Sequence, residues 1–197
     1  MIDMPNLTIK NINVTELLKD HFSRLNHGWV ALMQIPMEKA MDVNIESIKV
    51  LQELGYEGIY ITLSKDYKEL TSMFRKHSVD MGKLAFVDGV SQMYGIGAVD
   101  SPNVKYVSGP ISLDVIVAAI TDIIPVMKAE KKFVFLDSIT TVLMYNSLER
   151  TLKFSEFLTN SLKRLQVAGV VTSVSKGFAN DNLIKKLTKM SNEVIKL

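Results

Sequence analysis

Residues 133–140 read Phe-Val-Phe-Leu-Asp-Ser-Ile-Thr. Four apolar residues in an unbroken run, ending on a carboxylate and a hydroxyl, describe a strand that is buried on both faces and surfaces at its carboxyl end. A strand covered on one face would alternate apolar and polar residues; an unbroken run is what a parallel strand under helices on both sides requires. Asp137 and Ser138 stand at the carboxyl end of this strand. In open parallel sheets that end is where ligands bind.

The same kind of strand recurs on either side. Trp29 to Ile35 (WVALMQI) is almost wholly apolar and is closed by Pro36; Gly58 to Leu63 (GIYITL), Leu84 to Asp88 (LAFVD) and Gly169 to Val174 are rich in β-branched and aromatic residues. Between them lie helical patterns. Leu17, Leu18, Phe22 and Leu25 share one face over Val14–Leu25. Asn44 reads as the N-cap of a helix to Leu54 closed by Gly55, and Ser64 as the cap of a helix from Lys65 to His77. Ile111 to Met127 reads as a helix capped by Ser112 and interrupted near Pro125, Ser147 to Val167 as a long helix, and Asn180 to Met190 as a shorter one. Val194–Leu197 reads as a closing edge strand. Residues 89–110 hold three glycines and two prolines beyond Gly89 and read as a long loop with a short strand at Val104–Val107. Alternation of this kind predicts an α/β fold: a mainly parallel, twisted sheet in a three-layer arrangement with helices on both faces. Residues 1–27 are expected to form an N-terminal helical segment and 28–197 the core domain.

Composition narrows the function classes. A chain of 197 residues, 47% hydrophobic and 22% charged, is expected to form one globular domain. Lys+Arg 23 against Asp+Glu 21 gives a net +2, which disfavours a dedicated nucleic-acid binder. With no Cys, thiolate metal sites, disulfides and a Cys nucleophile are excluded. His21, His27 and His77 show no metal-ligand spacing, so no metal site is expected. No apolar run is long enough for a bilayer, and MIDMPNLTIKNIN lacks a basic-then-apolar leader pattern, so a soluble cytoplasmic protein is expected.

Taken together, the FVD strand followed by GVS, the segment VFLDSITTV, the long helix with a basic carboxyl half, the strand VVTSVS and the ending NEVIKL resemble the KaiC/RadA branch of the RecA-like P-loop ATPases, the short archaeal KaiC-like proteins most of all. The likeness runs from Gly28 to Leu197. Residues 134–140 resemble the family's Walker B segment, so the resemblance implies that Asp137, with Ser138, stands where the family helps hold Mg²⁺. Read without the family, Asp137 is more simply a strand-end carboxylate capping the next turn.

The phosphate loop departs from the family pattern. Laying Pro36 on the loop proline brings Gly58-Ile-Tyr-Ile-Thr onto the family's next strand without a gap. Gln34, Met37 and Lys39 then stand where the family has glycines, Ala40 at its lysine and Met41 at its threonine. The glycines let backbone N–H groups wrap phosphates, the lysine neutralises them and the hydroxyl binds Mg²⁺. The glutamate pair that follows the second strand in the family, one member activating water, is here Ser64-Lys65. None of the chain's 10 glycines falls between Gly28 and Gly55.

The expectation is therefore a catalytically inactive RecA/KaiC-like domain without ATP or Mg²⁺, acting as a regulatory, signalling or scaffolding protein. Its partner would be a protein, such as an active ATPase relative or a signalling protein, or a second copy of itself. Met33, Met37 and Met41 cluster around the altered loop and, as scaffold residues, would fill space a nucleotide vacates. A different class stays open: a small-molecule or altered-nucleotide binding module using an open strand-end cleft near Ser64, Lys65, Asp88, Asp137 and Ser175. A recombinase-like role on DNA has little support from a net charge of +2.

Overall fold

The computed structural model describes residues 13–25, 27–175 and 181–197, with the side chain of residue 175 outside that set. Seven strands, β1 (Val30–Pro36), β2 (Glu57–Thr62), β3 (Leu84–Asp88), β4 (Val104–Tyr106), β5 (Lys132–Asp137), β6 (Ala168–Ser175) and β7 (Glu193–Lys196), form one sheet in the order β4-β3-β2-β5-β6-β1-β7. Every pairing is parallel. The carboxyl ends of all seven strands therefore lie on one edge of the molecule.

Helices cover both faces. On one side lie α1 (Val14–Ser23), α2 (Ala40–Glu53) and α3 (Tyr67–Lys76). A four-residue helix, α4 (Ser91–Tyr94), interrupts the long loop. The other side carries α5 (Leu113–Ile123), α6 (Ile139–Tyr145), α7 (Leu148–Leu165) and α8 (Asp181–Met190). Side chains divide by strand parity, as the pleat demands. In β1, Val30 and Leu32 enter the core under α5–α8, while Ala31, Met33 and Ile35 enter the core under α1–α3. In β5, Val134 and Leu136 go one way and Phe133 and Phe135 the other. The α1–α3 side is aromatic: Tyr60 stacks on Phe135 at 5.1 Å and meets Phe74 edge-on at 5.2 Å. Gly58 in β2 is fixed by the same packing, since a Cβ there would lie 2.0 Å from the Phe133 ring.

Several local expectations are corrected. Helix α2 begins at Ala40, preceded by a 3₁₀ turn over Met37–Lys39, so Asn44 is not its cap but lies 1% exposed inside it. Asp66, not Ser64, caps α3, its carboxylate accepting from Glu69 N–H at 3.0 Å. Residues 139–145, to which the sequence assigns no element, form α6 with Ser138 as its N-cap. Ser112 stands at the start of α5 without a side-chain cap bond, and α5 gives way to a 3₁₀ turn at Ile124–Val126 around Pro125. Residues 1–12 and 180 of the expected N-terminal segment and last helix lie outside the described residues.

Candidate functional site

The strand-end edge is shaped by the way β1 ends. Pro36 (φ −59°) is its last residue and passes straight into the Met37–Lys39 turn, which continues as α2. Proline suits this junction because its fixed φ serves an extended residue and a helix start alike. No separate loop lies between strand and helix. The turn has no glycine, and the side chains of Met37 and Lys39 stand in solvent. Gln34 is half-buried within β1 and its carbonyl accepts from Leu197 N–H at 3.0 Å.

Beside this turn opens a cleft of about 300 Å³ between α2, α6 and the ends of β5 and β6. Its walls are mostly apolar: Met37, Ala40 and Met41 on one side, Met144 and Val174 on the other. Ser64, Lys65, Ser138, Thr140 and Thr141 supply the rim, and Asn44 and Asp137 the base. The structure thus brings Met37, Ala40, Met41, Ser64, Lys65, Asp137 and Ser138 together, but leaves Lys39 outside the lining. The methionines line the cleft without filling it. Cavities of this size sit at the lower end of those that take small molecules, about 300–1,000 Å³.

The base is a hydrogen-bonded chain. Tyr60 Oη donates to Asp137 Oδ2 at 2.7 Å, and Asn44 Nδ2 donates to Tyr60 Oη at 3.1 Å. Tyr60 is fully buried and Asp137 is 6% exposed. Burial pushes the Asp137 carboxyl above the ordinary carboxylate range, against the opposing pull of Tyr60, Asn44 and Lys65. Burial, and then the Asp137 charge, push the Tyr60 phenol well above its ordinary range, so it stays a donor. Asn44 Oδ1 is buried and has no hydrogen-bond partner. Lys65, at the rim, pairs with Glu69 at 2.5 Å. Ser138 is occupied locally: its Oγ accepts from Thr141 N–H at 3.2 Å.

Asp88 does not join this site. It is fully buried at the end of β3, where its carboxylate accepts from the N–H groups of Tyr67 (2.8 Å), Val90 (2.7 Å) and Ser91 (2.9 Å) and from Ser91 Oγ (2.6 Å). It ties the loop after β3 to the start of α3. Ser175 ends β6 opposite Pro36 in register; its side chain lies outside the described residues. Sequence reading missed Asn44, Tyr60, Thr140, Thr141 and Met144. The only signal for Tyr60 is a hydroxyl-bearing ring in an otherwise apolar strand.

Two of the lining methionines are exposed, Met37 at 53% and Met144 at 65%. Outside the lining, Tyr94 (63% exposed) places its hydroxyl 3.3 Å from that of Tyr145. Among the described residues no group of three or more His, Asp or Glu side chains is placed to hold a metal ion, and no helix is long and apolar enough to cross a membrane.

The fold is that of KaiC-like proteins. A KaiC-like protein of the hyperthermophilic archaeon Pyrococcus horikoshii OT3 superposes with a TM-score of 0.65 at 20% identity, over 87% of this chain and 73% of that one. An uncharacterised P. horikoshii protein, solved in complex with an unknown peptide, superposes with a TM-score of 0.63 at 15% identity, over 92% of this chain and 82% of that one. No curated protein sequence matches significantly. The model of one protein family matches residues 59–197, well over half of the chain, and on that match the chain belongs to DUF7090, a family of unknown function.

Proposed function

We propose that this chain is a KaiC-like domain that does not bind or hydrolyse ATP and that works in the cytoplasm as a regulatory, signalling or scaffolding protein through contacts with another protein. The observation that carries this reading is the direct passage from Pro36 into the Met37–Lys39 turn. A phosphate cradle needs several backbone N–H groups splayed around an anion, with glycines to permit it and a lysine and hydroxyl to complete it. Here one tight, glycine-free turn stands in that place, and Ala40 and Met41 bring neither charge nor hydroxyl. With Ser64 and Lys65 after β2, no carboxylate stands there to activate water.

A protein partner is supported by the exposed methionines Met37 and Met144 at the cleft. A structural neighbour of the same fold was solved with a peptide bound. An active ATPase relative, a signalling protein or a second copy of this chain would each present such a surface. The experiment is calorimetry of the chain with ATP and Mg²⁺, beside a partner pull-down. A micromolar dissociation constant, or hydrolysis lost on Asp137→Asn, overturns the reading. A second reading, a small-molecule module, is favoured by one specific observation: the cleft of about 300 Å³ that the methionines line without filling.

A further inference from the structure

Helix α7 turns Phe154, Leu158 and Leu162 into the core, as an amphipathic helix does. Phe157 departs from that pattern and stands 54% exposed on the outer side. It lines two hollows. One, of about 640 Å³, lies between α5 and α7, with Leu113, Val117 and Phe154 as its other apolar walls. The second, of about 390 Å³, is lined by residues of α7 alone, from Lys153 to Arg164. Ile111, 53% exposed, adjoins the same face, where Arg150 Nη2 donates to its carbonyl at 2.9 Å. An exposed aromatic set between open hollows marks a contact surface, since contiguous apolar patches on a soluble protein are usually covered by a partner. None of the residues lining these two hollows lines the methionine cleft.

The charges say what covers it. Asp114, Glu149 and Glu156 stand beside Arg150, Lys153 and Arg164, acids and bases in equal number, so neither a strongly acidic nor a strongly basic partner meets an opposite field. Along α7 the signs are separated: Glu149 lies in the first turn, Lys163 and Arg164 in the last. Lys163 Nζ is held by the Met190 carbonyl at 2.6 Å, which leaves Arg164 as the outward cation of that turn. We propose that this face joins two copies of the chain, with α7 packed antiparallel on α7 across a twofold axis beside Phe157. Glu149 and Arg164 lie equally far along the helix on either side of the midpoint between Glu156 and Phe157. A twofold there sets Glu149 level with Arg164 of the second copy, and repeats the pair at the other end, so one patch meets itself with opposite charges. The antiparallel helix dipoles act in the same sense. The two Phe157 rings come together near the axis, the place where interface anchors count most. A parallel arrangement would instead set Glu149 against Glu149 and Arg164 against Arg164. Glu149 gives up only an exposed pair with Lys153, and such pairs contribute little. The inference goes beyond the reading of the cleft and holds whether or not a nucleotide binds there.

The test is sedimentation velocity on the full chain, from low micromolar to submillimolar concentration. The wild type is expected to pass from monomer to dimer within that range. Phe157→Glu is expected to weaken association at least about tenfold, as loss of a central aromatic anchor does, while Met144→Glu, at the cleft, leaves it unchanged. Glu149→Arg and Arg164→Glu each set like charges against one another, and each is expected to weaken self-association. Mixed in equal amounts, these two variants are expected to form a heterodimer with near wild-type affinity, because each end then joins an arginine to a glutamate. All four substituted side chains are exposed, and near-ultraviolet circular dichroism checks that each variant keeps its fold. A wild type that stays monomeric at submillimolar concentration overturns the proposal, and this arm needs no variant. A dimer that survives Phe157→Glu, or that breaks on Met144→Glu, forms through another face and overturns it as well. Failure of the mixed variants to associate overturns the antiparallel packing.

Discussion

Tyr60 reaches across from β2 to hydrogen-bond Asp137 at the end of the neighbouring β5, Oη to Oδ2 at 2.7 Å. Thr62, not Tyr60, is the register partner of Asp137, so the phenol runs diagonally up the sheet to meet the carboxylate. The bond places a buried charge under the cleft and keeps the tyrosine from donating anywhere else.

Asp137→Asn is expected to stabilise the protein at neutral pH. Burial holds the Asp137 carboxyl above its ordinary value, so the folded state binds that proton more tightly than the unfolded state does. The penalty is absent at pH values below the ordinary aspartate range, grows as pH rises through the shifted value, and is full at neutral pH. An amide removes the charge and can still accept from Tyr60. A gain on the order of 1 kcal/mol is expected from relieving that penalty, or roughly 2–4 °C in Tm for a chain of this size. Thermal melts from pH 7 down to pH 3 should show the gain shrinking with acid. A loss of stability at pH 7 would show that the carboxylate is better solvated than its burial indicates.

Tyr60→Phe is expected to do the opposite. The ring keeps its stack on Phe135 and its edge contact with Phe74, so packing is preserved. Asp137 loses the Tyr60 donor, and Asn44 Nδ2 loses its acceptor on the phenol. Removing a hydrogen bond to a buried charge costs about 1.5–3 kcal/mol. The cost should fall in acid, where Asp137 is neutral. Denaturant unfolding of the single and double variants with Asp137→Asn measures the coupling, and additivity within about 0.5 kcal/mol would mean the two groups do not interact.

Strands were the legible part of this chain, because a sheet covered on both faces leaves unbroken apolar runs such as Val30–Met33 and Phe133–Leu136 between polar boundaries. The site was legible only in part. Asp137 and Met41 are found by counting along the chain, but the chain from Asn44 through Tyr60 to Asp137 joins residues 16 and 77 positions apart, and no local period encodes that. Asn44 was misread for a physical reason: an Asn ahead of an apolar stretch has the form of a cap, and the turn that actually opens α2 has no side-chain cap bond to signal it. Helix α6 was missed because ITTVLMY is β-branched and apolar, the composition of a strand.

Asp88 should matter for stability and not for ligand binding. Its carboxylate satisfies three backbone N–H groups and one hydroxyl in a fully buried setting. Asp88→Ala strands those donors, and even a fraction of about 1–3 kcal/mol for each gives a loss of roughly 3 kcal/mol or more. The Tm should drop by about 6–12 °C in thermal melts. An unchanged Tm would mean that the loop after β3 does not need this carboxylate.

Supplying the missing charge and hydroxyl should not create a nucleotide site. Ala40→Lys with Met41→Thr adds both groups, yet the backbone from Pro36 to Ala40 remains one tight turn flanked by the side chains of Met37 and Lys39. Phosphate binding depends on the splayed N–H groups as much as on the lysine. Calorimetry with ATP and Mg²⁺ should show no heat of binding at millimolar nucleotide. Micromolar binding by the double variant would mean that the turn opens readily and that the two side chains alone were limiting.

Gly58→Ala tests the aromatic packing that holds Tyr60 in place. A methyl at Gly58 would fall 2.0 Å from the Phe133 ring, in a strand paired on both sides by β3 and β5, so neither backbone can yield easily. Overpacking of this kind costs about 1–3 kcal/mol. If the ring is the cause, the cost must depend on it. Phe133→Leu vacates the space above Gly58, at a cost of its own from lost contacts. Placed on that background, Gly58→Ala should cost less than it does in the wild type, or stabilise by refilling the gap. The coupling between the two substitutions should then be at least about 0.5 kcal/mol in chemical unfolding. Strict additivity would trace the need for glycine to the backbone of β2 and not to the Phe133 ring.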